Sequence, residues 1–564
     1  MYKQKKDDFK LLGEFEKKAI TAKDRFSLFI FLIFLSFFVI VLKISYINIS
    51  NKKQITNNLI NREFSTSGLR ADIVDRNGVL LATSLIKKDL VANPNQIKKD
   101  DKEDVSKEIV KVLPELKYKE VLKKINLNKS FVYLKKNIEP KKYKEIENIG
   151  EPNIYSIKKI VRHYPHEEHA SHILGGVNID NIGIKGIEKK FNKILLDEKF
   201  VQEKKKLNLS VDINLQKILD SHLNYRISKH SAEGGAGIIL DIKKNEILAM
   251  NSLPQYNPNH IEGMNNITEF NNATLGVYEL GSLFKSLTGA IALDKNLLNE
   301  ETVFDARKPL VVGKFKIHDF EAKEKKLKFS ECILSSSNIC FALIGELIGE
   351  KNIREYYQKM KLTNKPEIEL PEIGNPIIPK IWRKTHIMTM SYGHGIAISP
   401  LQFVNAFSSI VNEGQFRYST LIKDKYINNE NFSQVITENT SSRIRYLLRE
   451  NVRNKEGTGD NAEIEGFSVG GKTGTAIKNK LNRYNKKENI SSFIGFFPSY
   501  NPKYLVFIMI DNPKPLKETG WYATGGAVAA PTVKEIINEM IPIIQIEPKI
   551  IEKDLLQQHV KLIN

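Results

Sequence analysis

The sequence predicts an α+β protein with three parts: a single N-terminal transmembrane helix, an irregular α/β region, and a larger domain whose antiparallel sheet is covered by helices on both faces. One uncharged apolar run near the N-terminus predicts the membrane helix. Two strand pairs predict the sheet: GAGIILD with EILAMNS, and SSFIGFFPS with YLVFIMIDNP. Helical patterns fill the chain between these hairpins, so one sheet is built from remote segments and the helices cover it.

The apolar run FSLFIFLIFLSFFVIVL, residues 26–42, contains no charged side chain, and its apolar character continues to about Ile47. A helix needs about 20 such residues to cross a bilayer. Eight Lys or Arg residues lie within the first 25 positions, which favours a cytoplasmic N-terminus. We predict a cytoplasmic tail over 1–25 and an uncleaved transmembrane helix over 26–47, because no small-residue cleavage site follows. The alternative, a buried core helix, would not be so uniformly apolar around its circumference.

The remaining chain contains no comparable apolar run, which predicts a single-pass protein with most of its mass across the membrane. Residues 48–205 combine the strand and turn of RADIVDRNG with Lys/Glu-rich helical pieces, and we predict a pedestal domain there. Residues 206–545 form the predicted larger domain, which begins with an amphipathic helix capped by Asp212. Residues 546–564 are predicted to be a weakly ordered tail.

The charge of the chain limits its partners. The net charge is +20 over 564 residues, but the basic residues are spread along the chain. A solvated basic surface is the first interpretation, and attraction to an anionic membrane or polymer is the second. Nucleic-acid binding is not expected, because the sequence has no zinc-ligand pairs, no RNP-like strand and no arginine-rich helix.

The chain contains two cysteines, Cys332 and Cys340. They lie eight residues apart on what is predicted to be one helix, which is a poor geometry for a disulfide. We therefore expect two small, buried, unpaired side chains. On that interpretation the cysteines neither require nor exclude an oxidising compartment.

Ser282 and Lys285 lie near the start of an apolar helix predicted over residues 278–294, YELGSLFKSLTGAIALD. Ser-x-x-Lys occurs four times in this lysine-rich chain, but only here does it open such a helix. Because residues i and i+3 share a helix face, the hydroxyl and the amine can lie within hydrogen-bond distance. A neutral amine can then take the hydroxyl proton and make the serine a nucleophile. Burial and a second cation must first lower the lysine pKa from about 10.4.

Lys472, in SVGGKTGTA, is the candidate second cation. Residues 468–475 are predicted to form a strand of small residues. An extended substrate can approach such a strand closely at the edge of a sheet. Thr473 and Thr475 lie two residues apart on one side of the strand, where their hydroxyls and the lysine charge can hold a carboxylate. The alternative is an ordinary edge strand with a solvated lysine.

A third motif, Ser-x-Asn, is formed by Ser336 and Asn338 just before an apolar helix. The serine can pass a proton, and the asparagine can bind an amide. Residues 499–501 also fit the pattern, and a helix N-cap is the alternative for the segment at 336–338.

The three motifs follow one another in the order S-x-x-K, S-x-N and K-T-G, a triplet typical of active-site serine penicillin-recognising enzymes. Over nearly its whole length the chain resembles the class B penicillin-binding proteins, which are monofunctional peptidoglycan D,D-transpeptidases. The segments VNIDNIGIKGIEKKFN, SYGHGIAISPLQ and GTGDNAEIEGFSVGGKTGTA resemble the division-specific type, the penicillin-binding protein 3 or FtsI family. The variants VYELGSLFK and IHDFEAKEKK are similar to alphaproteobacterial members.

The resemblance implies roles for the first two motifs. Ser282 would be the acylated nucleophile and Lys285 its base. Ser336 would relay a proton, and Asn338 would orient the amide of the donor peptide. Two positions depart from the family pattern: Leu280 and Cys340 occupy places where proline and glycine are common.

The resemblance also implies roles for the third motif. Lys472 would set the electrostatic field in the site. Thr473 and Thr475 would bind the terminal carboxylate of D-Ala-D-Ala or of a β-lactam. Gly474 would keep the strand open. The backbone N–H groups of Ser282 and Thr475 would form the oxyanion hole.

On the same resemblance, the substrates are peptidoglycan stem peptides, β-lactams are inhibitors, and neither a cofactor nor a metal is needed. The partners would be a SEDS-type membrane glycosyltransferase and other division proteins, and the catalytic domain would lie in the periplasm, anchored in the bacterial inner membrane. Two alternatives remain: a D,D-carboxypeptidase or β-lactamase using the same site, and a non-catalytic penicillin-binding scaffold or sensor. The long pedestal favours the transpeptidase, and no glutamate stands in a context typical of a deacylating base.

Histidines offer two further candidates. HYPHEEHASH places His163, His166, His169 and His172 three residues apart, but it lacks the H-E-x-x-H pattern and contains a proline. We predict a surface or domain-junction segment there rather than a metal site. His394, between two glycines, is predicted to pack or hydrogen-bond at the rim of the active site, with a direct catalytic role as the alternative.

Overall fold

The computed structural model describes residues 30–45, 68–261, 265–313, 315–321, 324–426, 432–480 and 483–549. Residues 30–45 form a helix, which belongs to a different compact unit from the one that begins at Leu69. Within the described ranges, no helix combines the length and the apolar character needed to cross a membrane. The predicted tail at 1–25, both ends of the predicted segment 26–47, and residues 550–564 of the predicted C-terminal tail lie outside the described residues.

The pedestal region is built on a five-stranded sheet. Its long strand Leu80–Ala92 pairs antiparallel with Ile73–Val74, Val132–Ile138 and Ile154–His163, and Leu207–Asn208 runs parallel to Ile73–Val74. Three helices, the helical pieces that the sequence predicted, contribute apolar side chains to a small core with this sheet: Lys102–Val112, Tyr118–Ile125 and Pro140–Glu147. The remaining elements are short: Ser171–Leu174, Gly176–Val177, Gly183–Lys185, Gly186–Lys190, Asn192–Leu195 and Glu198–Gln202.

Two of the four clustered histidines join the pedestal to the larger domain. His169 Nδ1 lies 2.6 Å from Asp220 Oδ2, and His172 Nε2 lies 2.9 Å from the carbonyl oxygen of Thr268. Asp220 lies in the first helix of the larger domain, α1 (Ile213–Lys229). The segment is therefore a domain junction, as predicted.

The larger domain is built on five antiparallel strands: β1 (Gly234–Asp241), β2 (Glu246–Leu253), β3 (Gly470–Lys480), β4 (Arg483–Phe497) and β5 (Tyr504–Asp511). Their order in the sheet is β3-β4-β5-β1-β2, so both predicted hairpins are confirmed and β3 is an edge strand. The strand predicted over 468–475 begins two residues later and continues further than expected.

Side chains of β5 alternate between two cores, because successive residues of a strand point to opposite faces. Val506 and Ile508 pack in one core with α1 and the C-terminal helix α4 (Ala530–Ile544), whereas Leu505 and Phe507 pack in the other. The second core contains α2 (Phe284–Asp294) and α3 (Asn338–Lys359). Helices thus cover both faces of the sheet, as predicted. The other elements of this domain are Val303–Asp305, Leu310–Val312, Phe315–Ile317, Lys326–Lys328, Phe329–Leu334, Lys384–Met390, Pro400–Val411, Gln415–Phe416, Ser433–Gln434 and Glu438–Arg453.

The N-cap predicted for α1 is present, since the Asp212 carboxylate accepts hydrogen bonds from the backbone N–H groups of Asn214 and Leu215. The helix predicted over residues 278–294 starts later than expected. It opens with a 3₁₀ turn at Gly281–Leu283 and becomes α-helical at Phe284.

The prediction of unpaired cysteines is wrong, because Cys332 and Cys340 form a disulfide. In one straight helix, residues eight apart would be about 12 Å apart along the axis. The chain instead forms two helices, Phe329–Leu334 and α3, and the serines at 335–337 turn it between them. The turn brings the two Cα atoms to 6.0 Å, a separation that a disulfide spans.

Candidate active site

A cavity of about 890 Å³ opens where the edge strand β3 meets the start of α2. Its wall contains five residues of the three sequence motifs: Ser282, Ser336, Asn338, Thr473 and Thr475. Remote segments of the chain therefore meet at one concave site, of a size typical for small-molecule binding.

Lys285 lies behind this wall, with 1% of its surface exposed. Its Nζ donates to the backbone oxygen of Ser336, to Ser336 Oγ at 3.2 Å and to Asn338 Oδ1 at 2.8 Å. An ammonium group has three N–H donors, and these three acceptors use all of them. Among the described residues no hydrogen bond joins Ser282 to Lys285, although the helical spacing would allow one. A lysine that has lost a proton has two N–H donors and one lone pair. It can therefore keep only two of these three hydrogen bonds.

Lys472 on β3 is fully buried beside it. Its Nζ donates to Ser336 Oγ at 3.0 Å, and it also contacts Thr473 Oγ1 at 3.3 Å and Thr458 Oγ1 at 3.4 Å. The structure therefore places this lysine beside the Ser-x-x-Lys motif, where the sequence analysis required a second cation.

Burial and charge act together on the two amines. Burial lowers the pKa of Lys285 well below its usual range, the charge of Lys472 lowers it further, and the nearby carboxylate of Asp319 opposes both. Burial lowers the pKa of Lys472 to about 7. Both shifts favour the loss of a proton, and a pair that has lost one holds a single positive charge next to a neutral amine.

The Ser-x-Asn turn contains a helix N-cap, the alternative considered for this segment. Ser337, its middle residue, is the N-cap of α3 and accepts a hydrogen bond from the backbone N–H of Cys340. Ser336 adopts a left-handed conformation with φ of 54°. This conformation is uncommon for a residue with a side chain, and such residues cluster at functional sites. The turn directs the Ser336 hydroxyl to both lysines.

Gly474 lets β3 lie against the start of α2. A Cβ atom at this position would lie 2.7 Å from the Leu280 carbonyl oxygen, 2.7 Å from Leu283 Cγ and 2.4 Å from Ser492 Oγ. No real Cβ atom makes contacts this short, so a side chain here would separate the strand from the Ser282 segment. Close backbone approach is a recognised reason for glycine inside a strand.

The two threonines of β3 are anchored by neighbours that contribute to the site. Thr473 Oγ1 donates to Thr458 Oγ1 at 2.8 Å, and the backbone N–H of Gly525 donates to Thr475 Oγ1 at 3.0 Å. Both threonines line the cavity, and Thr473 contacts Lys472, an arrangement suited to a carboxylate. The oxyanion hole formed by Ser282 and Thr475 stays a prediction.

Sequence reasoning missed several residues of the cavity wall. Asp319 and Thr458 lie in quoted segments, IHDFEAKEKK and GTGDNAEIEG, but no motif assigned them a role. Glu321 and Glu456 also line the cavity, although no glutamate had been singled out by its sequence context. His394 lines the cavity with Nδ1 3.2 Å from Glu279 Oε2, which confirms its predicted hydrogen bonding at the rim.

Comparisons with known proteins agree with this architecture. Residues 235–538 match the family described as penicillin binding protein transpeptidase domain, and residues 65–210 match the penicillin-binding protein dimerisation domain. The chain is 32% identical over 494 residues to a probable peptidoglycan D,D-transpeptidase FtsI of Caulobacter vibrioides, covering 86% of this chain and 82% of that protein. It is 31% identical to the stage V sporulation protein D of Bacillus subtilis, covering 85% and 79%.

A third relative is the peptidoglycan D,D-transpeptidase FtsI of Buchnera aphidicola from Baizongia pistaciae. It is 28% identical to this chain, and the match covers 94% of this chain and 96% of that protein. The crystal structure of penicillin-binding protein 2X from Streptococcus thermophilus has the same fold, with a TM-score of 0.72 at 18% identity over 85% of this chain and 80% of that one. The chain therefore belongs to the penicillin-binding protein family, with a dimerisation-type domain followed by a transpeptidase domain.

Proposed function

We propose that this protein is a serine-type peptidoglycan D,D-transpeptidase, which cross-links stem peptides through an acyl-enzyme during septal cell-wall synthesis. The observation that carries the proposal is the convergence of two buried lysines on Ser336 Oγ, directly behind a cavity wall that contains Ser282. Such an arrangement depresses lysine basicity and creates an amine able to activate a serine. The names of the Caulobacter and Buchnera relatives support this reaction and the division setting.

The reaction begins when Ser282 Oγ attacks the carbonyl carbon of the penultimate D-Ala. Its proton passes to neutral Lys285, either directly or through the Ser336 hydroxyl, which Lys285 contacts. The C–N bond then breaks, the proton is returned to the departing amine, and D-Ala leaves. The donor's terminal carboxylate is held by Thr473, Thr475 and the charge of Lys472.

The second half of the reaction repeats these steps in reverse. The amine of a neighbouring stem peptide attacks the acyl-enzyme carbonyl, the C–O bond to Ser282 breaks, and the amine proton passes through Lys285 back to the serine oxygen. One difficult substitution is divided into two easier ones. Asn338 Nδ2 donates to the backbone oxygen of His318 and its Oδ1 accepts from Lys285, so its side chain is held in one orientation at the cavity wall, where a donor amide would lie.

We also propose an inner-membrane protein with a cytoplasmic N-terminus and a periplasmic catalytic domain. The support is the uncharged apolar run within 26–47, and the disulfide between Cys332 and Cys340, a bond typical of oxidising compartments. A SEDS-type membrane glycosyltransferase and division proteins are the proposed partners. A fluorescent fusion tests the setting: septal fluorescence supports division, and sidewall fluorescence would contradict it.

Fluorescent penicillin labelling of the purified protein tests the enzymatic proposal. We expect a stable adduct that is absent from Ser282→Ala and from Lys285→Ala, while both variants retain the wild-type circular dichroism spectrum. No adduct on the wild type would favour a scaffold. An adduct formed at near wild-type rate by Lys285→Ala would exclude that lysine as the base.

A second assay separates the transpeptidase from the hydrolases. Dimeric cross-linked products from a stem-peptide donor support transpeptidation, whereas release of free D-Ala without dimers would indicate a carboxypeptidase. Rapid loss of the penicillin adduct would indicate a β-lactamase. Because Glu321 and Glu456 line the cavity, Glu321→Gln and Glu456→Gln are the controls: we expect adduct lifetimes like that of the wild type, whereas a longer lifetime would identify a deacylating carboxylate.

A further inference from the structure

We propose that Asp319 is a positioning residue for the acylation reaction, which holds the Ser-x-Asn turn in place and supplies the negative charge that faces the Lys285 amine. The inference rests on the proposed function, because it assigns Lys285 the part of the base. Asp319 lies on the cavity wall, nineteen positions before Asn338 in the chain (338 − 319), and belongs to none of the three motifs.

The loop that contains His318 and Asp319 holds the Ser-x-Asn turn from one side. Asp319 Oδ2 accepts a hydrogen bond from Ser337 Oγ at 2.7 Å, and Oδ1 accepts from the backbone N–H of Ile339 at 2.9 Å. The adjacent His318 accepts from Asn338 Nδ2 through its backbone oxygen at 2.9 Å. Two neighbouring residues of the loop therefore hold three consecutive residues of the turn and of the first turn of α3.

This support matters because the turn is strained. Ser336, the residue that both lysines contact, has φ of 54°, and a left-handed residue persists only where its surroundings hold it. The carboxylate of Asp319 also lies at the N-terminus of α3, where a negative charge is favourable. Losing the two hydrogen bonds would let Ser336 relax toward commoner conformations and move its hydroxyl away from the amines.

The charge of Asp319 has a separate effect on the base. The charged groups that act on Lys285 are Lys472 from β3, which lowers its pKa, and Asp319 from the loop, which raises it. The other titratable residues of the cavity wall are His318, Glu321, His394, Glu456 and Tyr522. Without Asp319 the amine would be neutral at lower pH but would also be a weaker base. Proton transfer is most efficient when the pKa of the base lies close to the working pH.

Asp319→Asn tests both halves of the inference, because it keeps the size of the side chain and removes its charge. We measure the second-order rate constant of acylation by a fluorescent penicillin as a function of pH. We expect the acid limb of this profile, over which the rate rises with pH, to shift to lower pH. The reason is that the pKa of Lys285 falls when the opposing charge is removed. The maximal rate should fall roughly 10-fold, as expected for the loss of hydrogen bonds to a charged group.

Ser337→Ala is the matched control. It removes the hydroxyl that Asp319 accepts from but keeps every charge. We expect a slower maximal rate with an acid limb at the wild-type pH. An unshifted acid limb in Asp319→Asn would overturn the electrostatic half, and a wild-type maximal rate in both variants would overturn the positioning half.

Asp319→Glu is a second variant, which tests the positioning role even if Asp319→Asn does not fold. The added methylene group retains the charge but displaces the two hydrogen bonds, so the rate should fall while the acid limb stays near that of the wild type; a wild-type rate would contradict positioning. Labelling of Ser282→Ala in parallel separates this inference from the proposed function. An adduct on that variant would refute the proposed acyl-enzyme whatever the Asp319 variants show.

Discussion

Lys285 and Lys472 donate to the same oxygen atom, Ser336 Oγ, at 3.2 Å and 3.0 Å. The two lysines are at most 1% exposed. Two ammonium groups held this close in a buried site repel each other, so the first proton is lost far more easily than from a lysine in water. The shared hydroxyl connects the two amines, which makes Ser336 the natural path for a proton between the cavity and Lys285.

The titration of Lys472 predicts an alkaline limb in the acylation rate. Its pKa of about 7 means that the ammonium is charged below this pH and is lost above it, together with its attraction for a substrate carboxylate. We expect the second-order rate constant for a penicillin to fall as the pH rises through about 7. Stopped-flow measurements with a fluorescent penicillin follow this limb.

The methyl ester of the same penicillin is the control, because it lacks the carboxylate. Its acylation should be slower at low pH and should show no alkaline limb associated with Lys472. Identical profiles for the acid and the ester would refute a carboxylate contact with this lysine.

Replacing Lys472 should stabilise the protein while it impairs the reaction. The pKa of Lys472 is about 7 in the folded protein and about 10.4 in the unfolded chain. Burying this lysine therefore lowers the free energy of unfolding most below about pH 7, and the effect declines as the pH rises toward about 10.4. We expect Lys472→Met to raise the free energy of unfolding by about 1–4 kcal/mol near neutral pH. The gain should shrink at pH 9, as measured by urea denaturation at both pH values.

Lys295→Met is the matched control, since Lys295 is a partly exposed lysine just after α2, within 3.4 Å of Glu355. It should change stability by less than about 1 kcal/mol and leave acylation unaffected. A destabilised Lys472→Met variant would contradict the assignment of Lys472 as a strained, functional charge.

The contact between β3 and α2 predicts a strong effect of Gly474→Ala. The new Cβ would need to displace the Leu280 carbonyl and the Leu283 side chain, and so would move the strand away from Ser282. We expect acylation to slow by about 100-fold, because a displacement of about 1 Å in reacting groups has that effect. Gly176→Ala in the pedestal is the control, since its Cβ would make only an ordinary contact of 3.6 Å. Equal acylation rates in the two variants would show that the close approach is unimportant.

The disulfide should stabilise the turn that carries Ser336. It closes a short loop across residues 332–340, and disulfides typically contribute about 2–4 kcal/mol. We expect a reducing agent to lower the melting temperature of the wild type and to slow its acylation. The double variant Cys332→Ala and Cys340→Ala should no longer respond to the reductant. A wild type whose melting temperature and acylation rate are unchanged by complete reduction would contradict this role.

Local signals made much of the fold predictable. The hairpins of β1 with β2 and of β4 with β5 follow from apolar strands around short polar turns, and the Asp212 cap depends only on its neighbouring residues. The cysteines were misjudged because apolar periodicity continues across 329–348 while the chain turns at three serines. A turn stabilised by an N-cap and by Asp319 leaves little trace in the periodicity.

The candidate site was predictable only where its residues stand in motifs. Ser282, Ser336 and Lys472 were found because each belongs to a short pattern, and the order of the patterns limited the possibilities. Asp319 and Thr458 reach the site through tertiary contacts alone, so nothing in their local sequence revealed them. Helical spacing allows a direct bond between Ser282 and Lys285, but it could not show that Ser336 and Asn338 compete for the same amine. That direct bond is absent from the described residues.

Tandem mass spectrometry of the penicillin-treated protein tests the central claim most directly, because it locates the acyl group on a single residue. We expect one penicilloyl group per chain, on the peptide that contains Ser282, and none on the Ser282→Ala variant. A penicilloyl group on any other residue of the wild type, or one that persists in Ser282→Ala, would contradict the account.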